Sequence, residues 1–160
     1  MVETQNVRTA FADDHDRLDR LFADFRQLKR TDFARARECF KEFKFGLQRH
    51  IVWEEQILFP LFERKTGMTQ GGPTAVMRTE HRLIGDRLEA IHQKVRAQDP
   101  ESDGEDVALL EVLSSHNQKE ENVLYPALDR LLSAEELATA FAAMAKVPEE
   151  AYRTCCGHPA

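Results

Sequence analysis

The sequence has few cysteines and no excess of positive charge, and each shortage excludes a class of protein. Three cysteines in 160 residues, two of them adjacent, are too few for a disulfide framework. The formal net charge is -6, whereas a domain that binds nucleic acid needs a basic surface. We therefore expect neither a small disulfide-stabilised domain nor a nucleic-acid partner.

Long hydrophobic runs are also missing. The longest candidates, ILFPLF and AFAAMA, fall far short of the roughly 20 apolar residues that a membrane-spanning helix needs. The N-terminal segment MVETQNVRTAFADD has neither the basic region nor the apolar region of an export signal. We expect no membrane partner and a cytoplasmic location.

The apolar residues recur at spacings of three and four rather than two, which predicts helices throughout. No linker or low-complexity block divides the chain, so residues 1–160 are predicted to form a single domain. Four long helices with short connections favour an all-α fold, an up-down-up-down antiparallel four-helix bundle. The bundle is predicted over about residues 7–132, followed by a short C-terminal fifth helix over about 133–146 and an irregular tail over 147–160.

One pattern of histidine and glutamate is present twice, with the second copy 66 residues after the first. Each copy has a lone histidine, a second histidine 35 residues later and a glutamate four residues after that. The segments that carry the second histidine and the glutamate read HIVWEEQILFP (50–60) and HNQKEENVLYP (116–126). The six residues of the two copies are His15, His50, Glu54, His81, His116 and Glu120.

These six side chains are predicted to point into the bundle core. Each histidine lies on the apolar stripe of its helix, and a glutamate four residues after a histidine shares its face. A single core histidine is usually satisfied by a backbone carbonyl, which is the alternative for any one of the four. Duplication of a bundle would repeat its core residues in any case, but leucine would preserve the packing as readily as histidine. Two core glutamates are costly without compensation, so the pattern predicts a bound cation.

The donor types indicate which metal is expected. Imidazole and carboxylate without thiolate favour iron, manganese or zinc over copper(I) or an iron–sulfur cluster. Six ligands exceed the four of a structural zinc site, which favours two metals. The repeat suggests that each metal is held by the two histidines of one copy, that both glutamates bridge the pair, and that an oxo or hydroxo group completes the bridge. About one position on each metal would remain open, as a reactive site requires.

The motif H-x-x-x-E-E-x-x-L-[FY]-P, present twice with a lone histidine on the helix before each copy, resembles that of the hemerythrin-like (HHE cation-binding) family. The resemblance covers about residues 7–132. It implies a four-helix bundle around two non-haem iron ions that meet dioxygen, nitric oxide or peroxide. It also implies that the six repeated residues are the metal ligands.

The chain departs from the oxygen-carrying members of that family at one position. Those proteins place two histidines four residues apart on the third helix, whereas Met77 and Gly85 stand four residues before and after His81 here. The set of four histidines and two glutamates more closely resembles the di-iron proteins that repair nitrosative damage and the hemerythrin-like iron or oxygen sensors.

Three classes of function follow, and the first is our expectation. A di-iron protein could bind or sense small oxidants (O2, NO or peroxide), act as an enzyme that reduces them or repairs iron centres, or hold a closed structural metal site. Whether the chain is an enzyme stays open at this point. So do its electron donor or protein partner and its oligomeric state.

Acidic residues next to the six ligands have a plainer interpretation. Glu55 and Glu121 lie five residues after their histidines, where contact with a ligand is conceivable but the surface is the expected location. Asp14, Asp16 and Glu80 flank ligand histidines and could orient an imidazole. Neighbours in sequence point away from each other on a helix, so these too are expected at the surface.

Several other residues keep two interpretations. Gly46 and Gly85 each lie one turn from a predicted ligand, and either leave space for an exogenous ligand or let two helices approach closely. Trp53 and Tyr125 are expected to serve packing rather than electron transfer.

The C-terminal region leaves two questions. Cys155 and Cys156, with His158, suggest either redox or metal-capture chemistry or, as we expect, two reduced thiols in a frayed tail. The apolar stripe of the fifth helix either docks on the bundle or pairs with another chain; it comprises Leu137, Phe141 and Met144.

Overall fold

The computed structural model describes residues 5–153, and helices make up nearly all of this range. In chain order they are α1 (Val7–Leu28), α2 (Phe33–Trp53), α3 (Phe59–Thr66), α4 (Pro73–Arg96), α5 (Asp103–Lys119), α6 (Tyr125–Leu131) and α7 (Ala134–Lys146). A π-helical turn, π1 (Glu54–Leu58), joins α2 to α3, a second, π2 (Glu120–Leu124), joins α5 to α6, and a 3-10 turn covers Glu149–Tyr152. Residues 5–153 contain no strand, which confirms the prediction of an all-α protein. No helix in this range is long and apolar enough to cross a membrane.

Local sequence signals determine where several helices begin and end. The side chains of Asn6 and Asp32 accept hydrogen bonds from the first turns of α1 and α2, as N-caps do. Ser133 and Glu136 form a capping box at the start of α7. The α3 helix ends at Gly67, which adopts φ +73°, a left-handed conformation that glycine allows without strain.

The core consists of two apolar clusters with a polar layer between them. The larger cluster, here called the phenylalanine cluster, is built on Phe22, Phe25, Phe40 and Phe43, whose neighbouring rings lie 4.7–6.3 Å apart. Burying each phenylalanine contributes roughly 1.5–3 kcal/mol. The second cluster, here called the terminal cluster, joins the N-terminal end of α1 to π1, π2 and the segments after them; its members include Val7, Phe11, Leu58, Phe59, Phe62, Met77, Leu124, Tyr125 and Leu128.

Helices α1 and α2 lie side by side along their length. The ring of Phe22 lies 4.7 Å from that of Phe43, and the ring of Phe25 lies 5.2 Å from that of Phe40. A Cβ atom added to Gly46 would lie 2.8 Å from Leu18 Cδ2, which is too close for any real contact. Gly46 therefore allows close approach of the two helices, the structural one of its two interpretations.

The α7 helix docks on the bundle rather than leaving its stripe exposed. Leu137 and Met144 are buried in the terminal cluster, and Phe141 packs against it. Beyond α7, part of the predicted irregular tail forms the 3-10 turn, where the Tyr152 hydroxyl accepts a hydrogen bond of 2.8 Å from Trp53 Nε1. The expectation for Cys155, Cys156 and His158 lies outside the described residues.

A buried ion pair fixes the end of α1 against the start of α5. Lys29 Nζ donates to Asp106 Oδ2 at 2.7 Å and to Ser102 Oγ at 3.0 Å, and all three side chains are buried. Because a buried charge needs a partner, this contact specifies how the two helices meet.

Candidate metal centre

The polar layer between the two apolar clusters contains all six residues of the repeated pattern. Each is at most 4% exposed, and the two glutamates are completely buried. We call this set the histidine–glutamate cluster: His15, His50, Glu54, His81, His116 and Glu120. The structure therefore brings together every residue that the repeat predicted to share one site.

The four histidines form two pairs, one from each repeat. The rings of His15 and His50 lie 4.6 Å apart and are called here the first half-site. The rings of His81 and His116 lie 4.8 Å apart and form the second half-site. This is the division between two sites that the 66-residue repeat predicted.

Each glutamate contacts one histidine of each half-site. Glu54 Oε1 lies 3.6 Å from His50 Nε2 and 3.4 Å from His81 Nε2. Glu120 Oε1 lies 3.3 and 3.2 Å from the corresponding nitrogens of the other two histidines. Both carboxylates therefore lie between the half-sites, where a bridging ligand would be.

Local helix geometry places these two carboxylates. Glu54 begins π1 and Glu120 begins π2, and in each turn the backbone N–H five residues later donates to the carbonyl of the glutamate. Pro60 and Pro126 follow directly as second residues of the next helices, where the missing N–H is tolerated. Single π turns interrupt helices mostly at functional sites, and here both occur at the repeated glutamate.

The cluster has more hydrogen-bond acceptors than donors. Within the described part of the chain, Glu54 Oε1 and both carboxylate oxygens of Glu120 are buried and accept no hydrogen bond. Burial, together with the adjacent Glu120 carboxylate, raises the pKa of Glu54. Two carboxylates buried at such close range oppose each other's ionisation, and a bound cation would remove the conflict.

The same buried carboxylates raise the pKa values of two of the histidines. Burial opposes the charged form of His81, but the Glu54 and Glu55 carboxylates outweigh burial and raise its pKa to about 10. Burial likewise opposes the charged form of His15, but the Glu120 carboxylate outweighs burial and raises the pKa of His15. A cation would take the place of these protons, and the donor set of imidazole and carboxylate suits a transition metal.

Carboxylates from outside the cluster hold the far side of the imidazole rings. His50 Nδ1 lies 2.8 Å from Asp14 Oδ2, and His81 Nδ1 lies 2.6 Å from Glu55 Oε2. A carboxylate at Nδ1 fixes the proton there and leaves the Nε2 lone pair pointing into the cluster, the arrangement that metal-binding histidines need. Burial opposes ionisation of Asp14, but its contacts with His50 and Arg17 lower its pKa to about 2.

The remaining two histidines have the same kind of partner at longer range. His116 Nδ1 lies 3.5 Å from Glu80 Oε2, and His15 Nδ1 lies 3.8 Å from Glu121 Oε2. Neither contact is a hydrogen bond, because both Nδ1 atoms are buried without a hydrogen-bond partner. The expectation that the flanking acids lie at the surface was wrong for Asp14 and Glu55, which hydrogen-bond to imidazoles.

Sequence position did not reveal these contacts because each joins an acid and a histidine from different helical segments. An acid adjacent to one ligand faces the histidine of a different helix, so its sequence neighbour says nothing about its orientation. Asp16, by contrast, is exposed as expected. A usable signal was present, because acids recur at the 66-residue offset: Asp14 with Glu80, and Glu55 with Glu121.

Tyr125 also belongs to the site, a contact that the interpretation of packing rather than electron transfer did not include. Its hydroxyl donates to Glu54 Oε2 at 2.8 Å and lies 3.1 Å from His50 Nε2 and 3.4 Å from His15 Nε2. It is completely buried. His92, on the same face of its helix as His81, lies outside the cluster and contacts Glu89.

These features define a helical protein with a buried histidine–carboxylate site that is able to hold metal ions. The chain belongs to the Hemerythrin HHE cation binding domain family, whose profile matches residues 6–150. That match confirms the resemblance noted in the sequence.

Relatives of this chain include proteins named iron-sulfur cluster repair protein YtfE. The protein from Yersinia pseudotuberculosis serotype IB (strain PB1/+) is 45% identical over 47 residues, and that from Yersinia pestis (strain Pestoides F) is 43% identical over 47 residues. In both cases the match covers 29% of this chain and 21% of the relative. The match thus spans about a fifth of the length of these relatives. No solved structure gave a significant match.

Proposed function

We propose that the histidine–glutamate cluster holds two non-haem iron ions and that this centre binds or senses small oxidants (O2, NO or peroxide). One observation carries the proposal. The ligand atoms of the second half-site and of both glutamates lie within 4.8 Å of one another, and those of the first half-site lie within 4.8 Å of one another and of Glu120. Two groups of donors that share a carboxylate favour two metals with a bridging ligand over one metal.

Iron is proposed over manganese and zinc because it suits the donor set and supplies redox chemistry with O2 and NO. The protein's own residues would hold the pair, with the histidines of each half-site on one metal and Glu54 and Glu120 between them. The carboxylates behind the imidazoles would fix the ring orientation. The two apolar clusters on either side of the polar layer would exclude bulk water.

A small cavity has lining residues that adjoin cluster residues in sequence, although none of the six cluster residues lines it. It has a volume of about 10 Å³, close to that of one water molecule, and lies between α2 and α4, lined in part by Ile51, Ile84 and Gly85. Gln48 lines both this cavity and a wider surface cleft of about 870 Å³. Gly85 stands one turn from His81, so space next to the second half-site is the interpretation that we adopt for this glycine.

The proposal includes an up-down-up-down antiparallel order of the four long helices and a cytoplasmic location. For the first pair of helices, the order is supported by contacts whose residue numbers rise along α1 while they fall along α2, from His15 with His50 to Phe25 with Phe40.

A second candidate is an enzyme that reduces the same oxidants or repairs iron centres. The 47-residue match to proteins named for iron-sulfur cluster repair favours it specifically. A third is a closed structural metal site, which would respond to none of these oxidants.

The experiment that separates these candidates is an optical titration of the iron-loaded protein, reduced without air and then taken through one cycle of O2 addition and removal. We expect a charge-transfer band that appears with O2 and disappears on its removal. The zinc-loaded protein is the control, because zinc has no redox chemistry. A stable oxidised spectrum instead of a reversible band would favour the enzyme, and NO and peroxide would be tested next. No response to any of the three would contradict the proposal.

A further inference from the structure

Tyr125 distinguishes the two halves of the cluster. Its hydroxyl oxygen lies 3.1 Å from His50 Nε2 and 3.4 Å from His15 Nε2, the nitrogen pair of the first half-site. The corresponding position 66 residues earlier holds Phe59, whose ring stacks on His81 with centroids 5.6 Å apart. A phenol oxygen therefore faces the first half-site, whereas a hydrocarbon ring faces the second.

The hydroxyl has one proton and lies close to three polar atoms of the site. It donates that proton to Glu54 Oε2 at 2.8 Å. The Asp14 carboxylate holds the proton of a neutral His50 on Nδ1, so the Nε2 lone pair points at the phenol oxygen. An oxygen and two imidazole nitrogens that converge in this way form the donor arrangement expected around a cation.

Building on the proposed di-metal function, we infer that Tyr125 is a seventh metal ligand, and that it would bind only the metal held by the first half-site. A phenol binds a metal as phenolate, so ligation would release the hydroxyl proton to solvent. Tyr125 would then fill the position that the first metal otherwise leaves open. The exogenous ligand would bind at the second half-site, next to the Gly85 cavity.

The first test uses the visible absorption and resonance Raman spectra of the ferric protein. Ferric phenolate has a charge-transfer band in the visible and characteristic ring vibrations. The chain has two tyrosines, so Tyr125→Phe and Tyr152→Phe together assign any such band. We expect the band in the unsubstituted protein and in Tyr152→Phe, and its loss in Tyr125→Phe with the far-ultraviolet circular dichroism unchanged.

Metal content separates failure of this inference from failure of the proposed function. Fewer than two irons per unsubstituted chain would contradict the di-metal proposal itself. Two irons without a phenolate band, or a band that persists in Tyr125→Phe, would overturn only the role of Tyr125. The spectrum of the unsubstituted protein decides the question even if Tyr125→Phe does not fold.

The second test counts exogenous ligands with azide, a small anion that binds ferric iron. We expect one azide per unsubstituted chain and two per Tyr125→Phe chain, since the substitution opens a second position. Equal azide stoichiometry in the two proteins, each loaded with two irons, would show that Tyr125 does not occupy a ligand position.

Discussion

The carboxylates behind the histidines should contribute to metal affinity in the order of their distances. Asp14 Oδ2 lies 2.8 Å from His50 Nδ1, a normal hydrogen bond, whereas Glu121 Oε2 lies 3.8 Å from His15 Nδ1. Loss of a partner that orients a metal-binding histidine typically weakens metal binding about 10–100-fold, or about 1.4–2.7 kcal/mol. We expect Asp14→Ala to fall in this range and Glu121→Ala to weaken binding by less than about threefold, because no hydrogen bond is lost.

The assay is competition for ferrous iron between the protein and a chromogenic chelator, without air. Because its contacts with His50 and Arg17 outweigh burial and lower the Asp14 pKa to about 2, this carboxylate is charged throughout pH 5–8 and the effect should not change over that range. Asp14 also contacts Arg17, so Arg17→Ala serves as the control for that bond. Equal losses in Asp14→Ala and Glu121→Ala would refute the argument from distance.

Three further predictions concern stability and access. Lys29→Met should destabilise the protein by about 3–5 kcal/mol in urea unfolding because it removes the 2.7 Å contact to the buried Asp106 carboxylate and leaves it only Arg26, at 3.8 Å. Adding Asp106→Leu should recover most of the loss, and no recovery would contradict this account. Glu63→Gln should cost about 0.5–1 kcal/mol at pH 7, since its contact with Arg78 lowers the Glu63 pKa. That stability is fully present above the unfolded pKa of about 4.3 and is lost as pH falls through the lowered folded pKa, so a difference that does not shrink between pH 7 and pH 3 would refute the assignment. Gly85→Val should slow azide binding to the ferric protein several-fold at unchanged iron content, measured by stopped flow, and an unchanged rate would exclude the cavity as the route.

The sequence predicted the helices and the composition of the cluster because both follow from short-range patterns. The spacing of apolar residues reports helix faces, and the 66-residue repeat identified the six residues that meet between the two apolar clusters. The N-caps Asp32 and Ser133 are likewise local signals, each directly before the first residue of its helix.

Contacts between helices could not be predicted in the same way. Asp14 was assigned to the surface because it adjoins His15, yet it faces His50 on the next helix. Tyr125 was assigned to packing rather than electron transfer, and only the distances from its hydroxyl to three site atoms place it in the cluster. The π turns at both glutamates were not anticipated either, although Pro60 and Pro126 in the repeat mark where the α-helix is interrupted.

The central claim is that one buried cluster holds two metal ions. Its most direct test is the iron content of protein that has been loaded with ferrous iron without air, desalted, and analysed by plasma mass spectrometry against protein concentration. The account predicts two irons per chain, with fewer in both Glu54→Ala and Glu120→Ala, because each carboxylate contacts a histidine of both half-sites. One iron per chain, or two that persist in both glutamate variants, would contradict it.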